Sequence, residues 1–184
     1  MSRWSGEDLN RDNVASLGFR FHGELQDRRL LLELIKSCGV QKDLNGARKV
    51  HRDVIQNQAF LHDICINNAL LSMYVKCGAI TEARRVFNQI SFPNVVSWNA
   101  LIAGYAQLGG TENVFCMLVK MMGEGVAPNE VSFIGILNAC SHAGLVYKGF
   151  MYFIAMSKYY GIIPTLEHYT CMIDLLGRSG HVDD

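Results

Sequence analysis

The chain has 184 residues, of which 49% are hydrophobic and 18% charged, which supplies a packed core and excludes an intrinsically disordered chain. Lys plus Arg and Asp plus Glu each number 17, so the basic excess that often marks a nucleic-acid binder is absent, though neutrality does not exclude such binding. No run approaches the roughly 18 apolar residues of a membrane span, and the opening residues lack the apolar core of a secretory signal, so neither a membrane partner nor secretion is expected.

Residues 1–27 show no periodicity and mix Arg3, Arg11 and Arg20 with Glu7, Asp8, Asp12, Glu24 and Asp27, the pattern expected of a mobile leader. Within them His22-Gly23-Glu24 matches the H-x-E half of a zinc deaminase site. No P-C-x-x-C follows to complete the ligands, so the match reads as coincidence.

From residue 28 onward the chain repeats itself. The run Asn68 to Tyr74 (NALLSMY) parallels Asn99 to Tyr105 (NALIAGY), Pro93, Pro128 and Pro164 lie 35 and 36 residues apart, and Gly78, Gly109, Gly144 and Gly180 recur at spacings of 31, 35 and 36. These marks divide the chain into units 28–63, 64–94, 95–129 and 130–165, with an incomplete unit at 166–184. The first half of each unit carries an apolar stripe at offsets 0, 3, 4 and 7: Leu31, Leu34, Ile35 and Cys38, then Asn67, Leu70, Leu71 and Tyr74, then Trp98, Leu101, Ile102 and Tyr105. Phe133, Ile136, Leu137 and Cys140 continue it, as do Tyr169, Met172, Ile173 and Leu176, and only Asn67 departs from the pattern.

The second halves repeat these offsets, as in Ala47, Val50, His51 and Val54, or Val114, Met117, Leu118 and Met121, so each complete unit predicts two amphipathic helices. The glycines between them suit the left-handed turn that ends a helix, whereas Lys42 holds that place in the first unit and predicts a looser or differently built turn. Two helices cannot cover their own stripe, and stacking of units must do so. The expected fold is therefore all-α, an α-solenoid with a concave helix-lined face. The unit at 166–184 has one helix and a turn, so its stripe predicts either more chain beyond Asp184 or a sticky edge.

No catalytic machinery is legible: there is no Gly-rich phosphate loop, no G-x-S-x-G elbow and no acidic pair at a telling spacing. His51, His62, His142, His168 and His181 are scattered and predict no metal site, and no cofactor is implied. Six dispersed cysteines without C-x-x-C read as reduced and mostly buried, Cys140 and Cys171 as structural thiols. Basic residues prevail over 28–94 and acidic ones over 166–184, so Arg48, Lys49, Arg52, Lys76, Arg84 and Arg85 form either a patch for a phosphate backbone or a solvated helix face.

The segments VVSWNALIAGY (Val95 to Tyr105), GVAPN (Gly125 to Asn129), VSFIGILNACSHAG (Val131 to Gly144) and EHYTCMIDLLGRSG (Glu167 to Gly180) resemble pentatricopeptide repeat proteins of the plant P-L-S class. The order of unit lengths is similar too: long (28–63), short (64–94), standard (95–129), long (130–165), then the start of a short unit. The last segment resembles the repeats that precede the E and DYW extensions of organellar editing factors. The resemblance implies binding of single-stranded organellar RNA, one base per repeat, in the mitochondrion or chloroplast. It also implies a role in RNA modification by C-to-U editing, or in RNA processing, with catalysis supplied by another domain or by a deaminase-bearing or other editing partner.

Carried over position by position, the family's reading pairs fall on Asn68 with Asn94 and Asn99 with Asn129. A carboxamide can donate and accept, and an Asn/Asn pair resembles the family's pyrimidine readers. Thr170 begins a further pair of the kind associated with purines. Cys65, Val96 and Val131 hold the place of side chains that pack on bases, while Leu32 with Asp63 and Ile134 with Thr165 predict supporting units that do not read. From the residues alone Asn68 and Asn99 are equally solvent-exposed helix residues, and Asn94 a turn former after Pro93. Trp98, Phe133 and Tyr169 are expected in the core and not as base platforms. The rival functions are a protein-binding scaffold and a product too short to act.

Overall fold

The computed structural model describes residues 28–180. The leader at 1–27, with its His22-Gly23-Glu24 match, and His181 lie outside the described residues.

Among the described residues all regular structure is helical: α1 (Arg28–Gln41), α2 (Leu44–Gln56), a single turn α3 (Gln58–Leu61), α4 (Ile64–Lys76), α5 (Ile80–Gln89) and α6 (Val95–Gln107). Then follow α7 (Thr111–Gly123), α8 (Glu130–His142), α9 (Val146–Tyr160) and α10 (Leu166–Arg178). The short α3 has no counterpart in the other units. Asn57 starts it by accepting from the Ala59 amide at 3.2 Å, a local capping event too small for any periodicity to announce.

The turns between paired helices share one construction. Gly78 has φ 72°, and the amides of Gly78 and Ala79 donate to the carbonyls of Val75 and Tyr74, each at 2.9 Å, which satisfies two of the last free carbonyls of α4. Gly109 and Gly144 act in the same way after α6 and α8. The first unit departs from expectation. Lys42 takes the same left-handed conformation, with φ 54°, and Asp43 N donates to Cys38 O at 3.0 Å, so the turn is neither looser nor different in kind. The hydrogen bonds hold a backbone geometry that a non-glycine residue adopts only at some cost.

The first helices α1, α4, α6, α8 and α10 pack on one another in a continuous row, and each of α2, α5, α7 and α9 packs on its own first helix and on the next. The first helices form the close-packed inner row of the solenoid, and the second helices lie outside it. Leu31, Ile35, Leu70, Leu71, Leu101, Ile102, Ile136 and Leu137 are buried within this stack, each contributing about 1.5–3 kcal/mol of apolar burial. Trp98 and Phe133 are core residues at 1% exposure, and Trp98 meets Phe87 edge to face at 4.7 Å.

Tyr169 corrects the expectation. It is 50% exposed, leaning on Phe153 with ring centroids 5.4 Å apart, and Ile173 is 69% exposed. Helix α10 packs on α8 and α9, and no described helix covers its other side. The cysteines also divide more evenly than predicted: Cys38, Cys140 and Cys171 are buried, Cys77 is half-buried, and Cys65 and Cys116 are exposed, all with free thiols.

Candidate nucleic-acid interface

The inner row of first helices carries Asn68 on α4 and Asn99 on α6, and the next first helix in each case begins with an asparagine N-cap, Asn94 or Asn129. Both caps follow from the need of a helix start to satisfy amides that have no partner within the helix. Asn94 Oδ1 accepts from the amides of Val96 and Ser97, both at 3.1 Å, and Asn129 Oδ1 accepts from Ser132 N at 3.2 Å. In return Ser97 Oγ accepts from Asn94 N at 3.3 Å and Ser132 Oγ from Asn129 N at 3.1 Å, closing a capping box at each helix.

These caps reach across to the preceding helix. Asn68 Nδ2 donates to Asn94 Oδ1 at 3.2 Å, and Ser97 Oγ donates to Asn68 Oδ1 at 2.6 Å. The next interface repeats the cluster: Asn99 Nδ2 donates to Asn129 Oδ1 at 2.9 Å and Ser132 Oγ donates to Asn99 Oδ1 at 2.5 Å. The structure thus brings together both asparagine pairs expected from the sequence. Ser97 and Ser132, both fully buried, are additional members that residue-by-residue reading missed. Their signal was present in the shared spacing Asn94-x-x-Ser97 and Asn129-x-x-Ser132. Asn68 is half-buried, whereas Asn99, at 8% exposure, is buried.

Val96 and Val131 are 54% and 52% exposed and Cys65 is exposed, all at the second position of their helices. Val96 and Asn68 line one cleft of about 390 Å³ with Lys36, Ser72 and Lys76. Thr170 is exposed on α10, its hydroxyl donating back to Leu166 O at 2.8 Å.

Where the reading position is aliphatic, the interface is built differently. Beside Leu32, Asp63 caps α4 through Cys65 N at 2.8 Å and Ile66 N at 3.2 Å, and accepts from Arg28 Nε at 2.6 Å. The Arg28 guanidinium holds the Asp63 carboxyl below the usual carboxylate range. Beside Ile134, the fully buried His168 joins Thr165 in a capping box. Its Nε2 donates to Glu130 O at 3.0 Å, because a carbonyl can only accept, which leaves Nδ1 to accept from Thr165 N at 3.1 Å.

The basic residues are not one patch. Arg48 pairs with Glu82 at 2.6 Å and Arg84 donates to Tyr105 Oη at 2.9 Å, both from outer helices, whereas Lys36 and Lys76 border the cleft that holds Asn68. Among the described residues no group of three His, Cys, Asp or Glu side chains is placed to hold a metal, and no helix is long and apolar enough to cross a membrane.

Comparison with known proteins agrees with this architecture. The PPR repeat family profile matches residues 93–142, and the PPR repeat profile matches 68–91 and 167–184. A mitochondrial pentatricopeptide repeat-containing protein of Arabidopsis thaliana is 39% identical over 162 residues, covering 88% of this chain and 25% of the relative. A chloroplastic one from the same plant is 38% identical over 154 residues, 84% of this chain and 17% of the relative. The chain therefore spans about a quarter or less of the length of these relatives. Among solved structures, the maize pentatricopeptide repeat protein PPR10 superposes with a TM-score of 0.74 at 21% identity, covering 92% of this chain and 24% of that one. PPR10 in complex with an 18-nt psaJ RNA element gives 0.70 at 19% identity, covering 90% and 25%. At these identities the likeness is one of fold.

Proposed function

The chain belongs to the pentatricopeptide repeat family, and from that premise we propose that its inner row of helices binds single-stranded RNA, one base per repeat. The observation that carries this reading is the Asn-Asn-Ser cluster, built twice in identical register on successive helices beside an exposed valine. The helix starts account for Asn94 and Asn129, but not for the second amide, Asn68 or Asn99, set against each cap from the preceding helix.

In this reading Asn68 with Asn94 and Asn99 with Asn129 contact pyrimidines, and Thr170 begins a purine-type pair. Cys65, Val96 and Val131 pack on the bases, and Lys36 and Lys76 meet the phosphates. Units 28–63 and 130–165 support the array, with 64–94 and 95–129 between them and 166–184 opening the next, in the long, short and standard order of the P-L-S class. The chain serves C-to-U editing or another step of RNA processing in an organelle, and a second domain or a deaminase-bearing partner carries the chemistry. The mitochondrial and chloroplastic names of its relatives support the location, and the RNA complex of maize PPR10 supports the ligand class.

Fluorescence anisotropy at a stated salt concentration tests the proposal, using RNAs that carry a pyrimidine pair or a purine pair in one constant frame. Each base contact contributes on the order of 1–3 kcal/mol, and with two complete reading pairs the expected affinity is micromolar or weaker. Pyrimidine preference that disappears in Asn68→Ala/Asn99→Ala supports the reading. Absence of binding by a folded chain favours the protein-scaffold reading, for which one observation speaks. Tyr147, Phe150, Met151 and Ile154 form an exposed apolar stripe at offsets 0, 3, 4 and 7 on α9.

A further inference from the structure

The third residue of each first helix changes in step with the residue that faces it from the helix before. Where the preceding helix offers Asn68 or Asn99, that third residue is Ser97 or Ser132. Where the equivalent residue of the preceding helix is Leu32 the third residue is Ile66, and where it is Ile134 the third residue is His168. All four are fully buried. The capping boxes account for an acceptor at this position, which Ser97, Ser132 and His168 all supply, but not for the hydroxyl proton that only the two serines bring, and Asp63 caps α4 with neither. A buried serine hydroxyl needs a partner, and here the partner for its proton is the facing asparagine.

We propose that Ser97 and Ser132 are positioning residues that fix which atoms Asn68 and Asn99 turn toward a bound base, an inference that rests on reading those asparagines as base contacts. The constraint begins in the helix start. The amides of Val96 and Ser97 can only donate, so the atom of Asn94 they hold is Oδ1. The Asn68 atom facing that oxygen must then be Nδ2, since two carbonyl oxygens in contact would repel. Asn68 Oδ1 is left facing Ser97 Oγ, whose one proton has its shorter bond there, 2.6 Å against 3.2 Å to Asn94 Oδ1. Ser132 closes the same circuit on Asn99.

The outward face of each pair therefore offers donors: the second Nδ2 hydrogen of the reading asparagine and the Nδ2 group of the capping asparagine. Cytosine presents two adjacent acceptors, N3 and O2, whereas uracil carries a donor at N3. The pinned amide favours the cytosine edge. Removing the serine hydroxyl takes away one of the two hydrogen bonds that hold the amide and leaves only the bond to the capping asparagine, so the amide turns its oxygen toward uracil more readily.

The test compares the wild-type chain with Ser97→Ala/Ser132→Ala and Asn68→Ala/Asn99→Ala, binding RNAs that differ only in a CC or UU pair. Circular dichroism and the thermal midpoint establish that each variant is folded. Alanine keeps the backbone amides that donate to the caps, and Ser97→Ala alone, with only its own base varied, replaces the double variant if that unfolds. The expected result is a CC-over-UU preference in the wild type that narrows about three- to tenfold in the serine variant, the range of one lost hydrogen bond. Side-chain amide ¹⁵N relaxation on the RNA-free chain is expected to show Asn68 and Asn99 loosened by the same substitution. An unchanged CC-to-UU ratio in the serine variant, with binding lost in the asparagine variant, overturns the positioning role and leaves base reading intact. Unchanged binding in the asparagine variant overturns base reading and the positioning role together.

Discussion

A Cβ placed on Gly135 of α8 would lie 2.5 Å from Cγ2 of Ile102 on α6, so these two first helices touch where no side chain larger than hydrogen fits. Ile102 is fully buried and its Cγ2 sits on the branched carbon, whose χ1 a helix holds strongly to one rotamer, so withdrawal is costly. Gly135→Ala should gain about 1 kcal/mol of helix propensity and lose more to overpacking, for a net destabilisation of about 1–2 kcal/mol. Urea titration of a double-mutant cycle checks this. Ile102→Ala combined with Gly135→Ala should cost less than the two single losses added together, and strict additivity would show that the contact carries no strain.

Stability should fall in two stages as pH is lowered. Burial lowers the pKa of His51 from 6.5, so the unfolded chain takes up that proton first and stability declines as pH drops below about 6.5. The carboxyl of Asp63 is lowered chiefly by its hydrogen bond from Arg28, and that of Asp174 chiefly by its hydrogen bond from Ser141 and then by Arg178. Their contribution is full above the unfolded value of 3.8 and is lost as pH falls below it through the lowered folded values. Thermal midpoints measured from pH 8 to pH 3 should show both declines, with His51→Gln flattening only the upper one.

Thiol labelling should separate the cysteines by burial. Cys65 and Cys116 are exposed and should react with iodoacetamide first. Cys38, Cys140 and Cys171 are buried, and burial pushes the Cys140 thiol up to about 11, so little reactive thiolate is present. Mass spectrometry of a timed reaction gives the order. A saturating pyrimidine RNA should slow labelling of Cys65, which lies on the inner row, and leave Cys116 on α7 untouched.

The unit at 130–165 can be asked to read. Ile134→Asn, Thr165→Asn and His168→Ser together reproduce the cluster found at the two preceding interfaces. The triple variant should discriminate pyrimidine from purine at a third base by about tenfold, within the range of about 1–3 kcal/mol for a good base contact. Anisotropy with RNAs varied only at that base measures it. Ile134→Asn alone should discriminate less, because His168 offers the new amide no hydroxyl.

The helices, their pairing and the stacked core were legible because the stripes at Leu31, Leu70, Leu101 and Ile136 carry the period of a helix and recur at the period of a repeat. Periodicity names the apolar face of a helix but not its neighbour, which is why Tyr169 and Ile173 read as core and are exposed. Lys42 misled for another reason: glycine preference is a matter of cost, and the Asp43 to Cys38 hydrogen bond offsets it. At the candidate interface the asparagines were visible as repeated letters. Ser97 and Ser132 left a trace in the Asn-x-x-Ser spacing, which marks a helix start, but their reach to the helix before, like that of His168, depends on how closely the two helices approach, and no local pattern encodes that distance.

The residues that open the inner helices, Asp63, Asn94, Asn129 and Thr165, all belong to the small set that can begin a helix well. Two of them also complete the proposed reading pairs, so one side chain answers to two demands at once. A repeat cannot exchange its closing letter freely to suit a new transcript. A leucine or lysine there would forfeit about 1 kcal/mol of helix start whatever it did for the base. The vocabulary of such an array is thereby limited, before any nucleic acid arrives, to residues the backbone will accept.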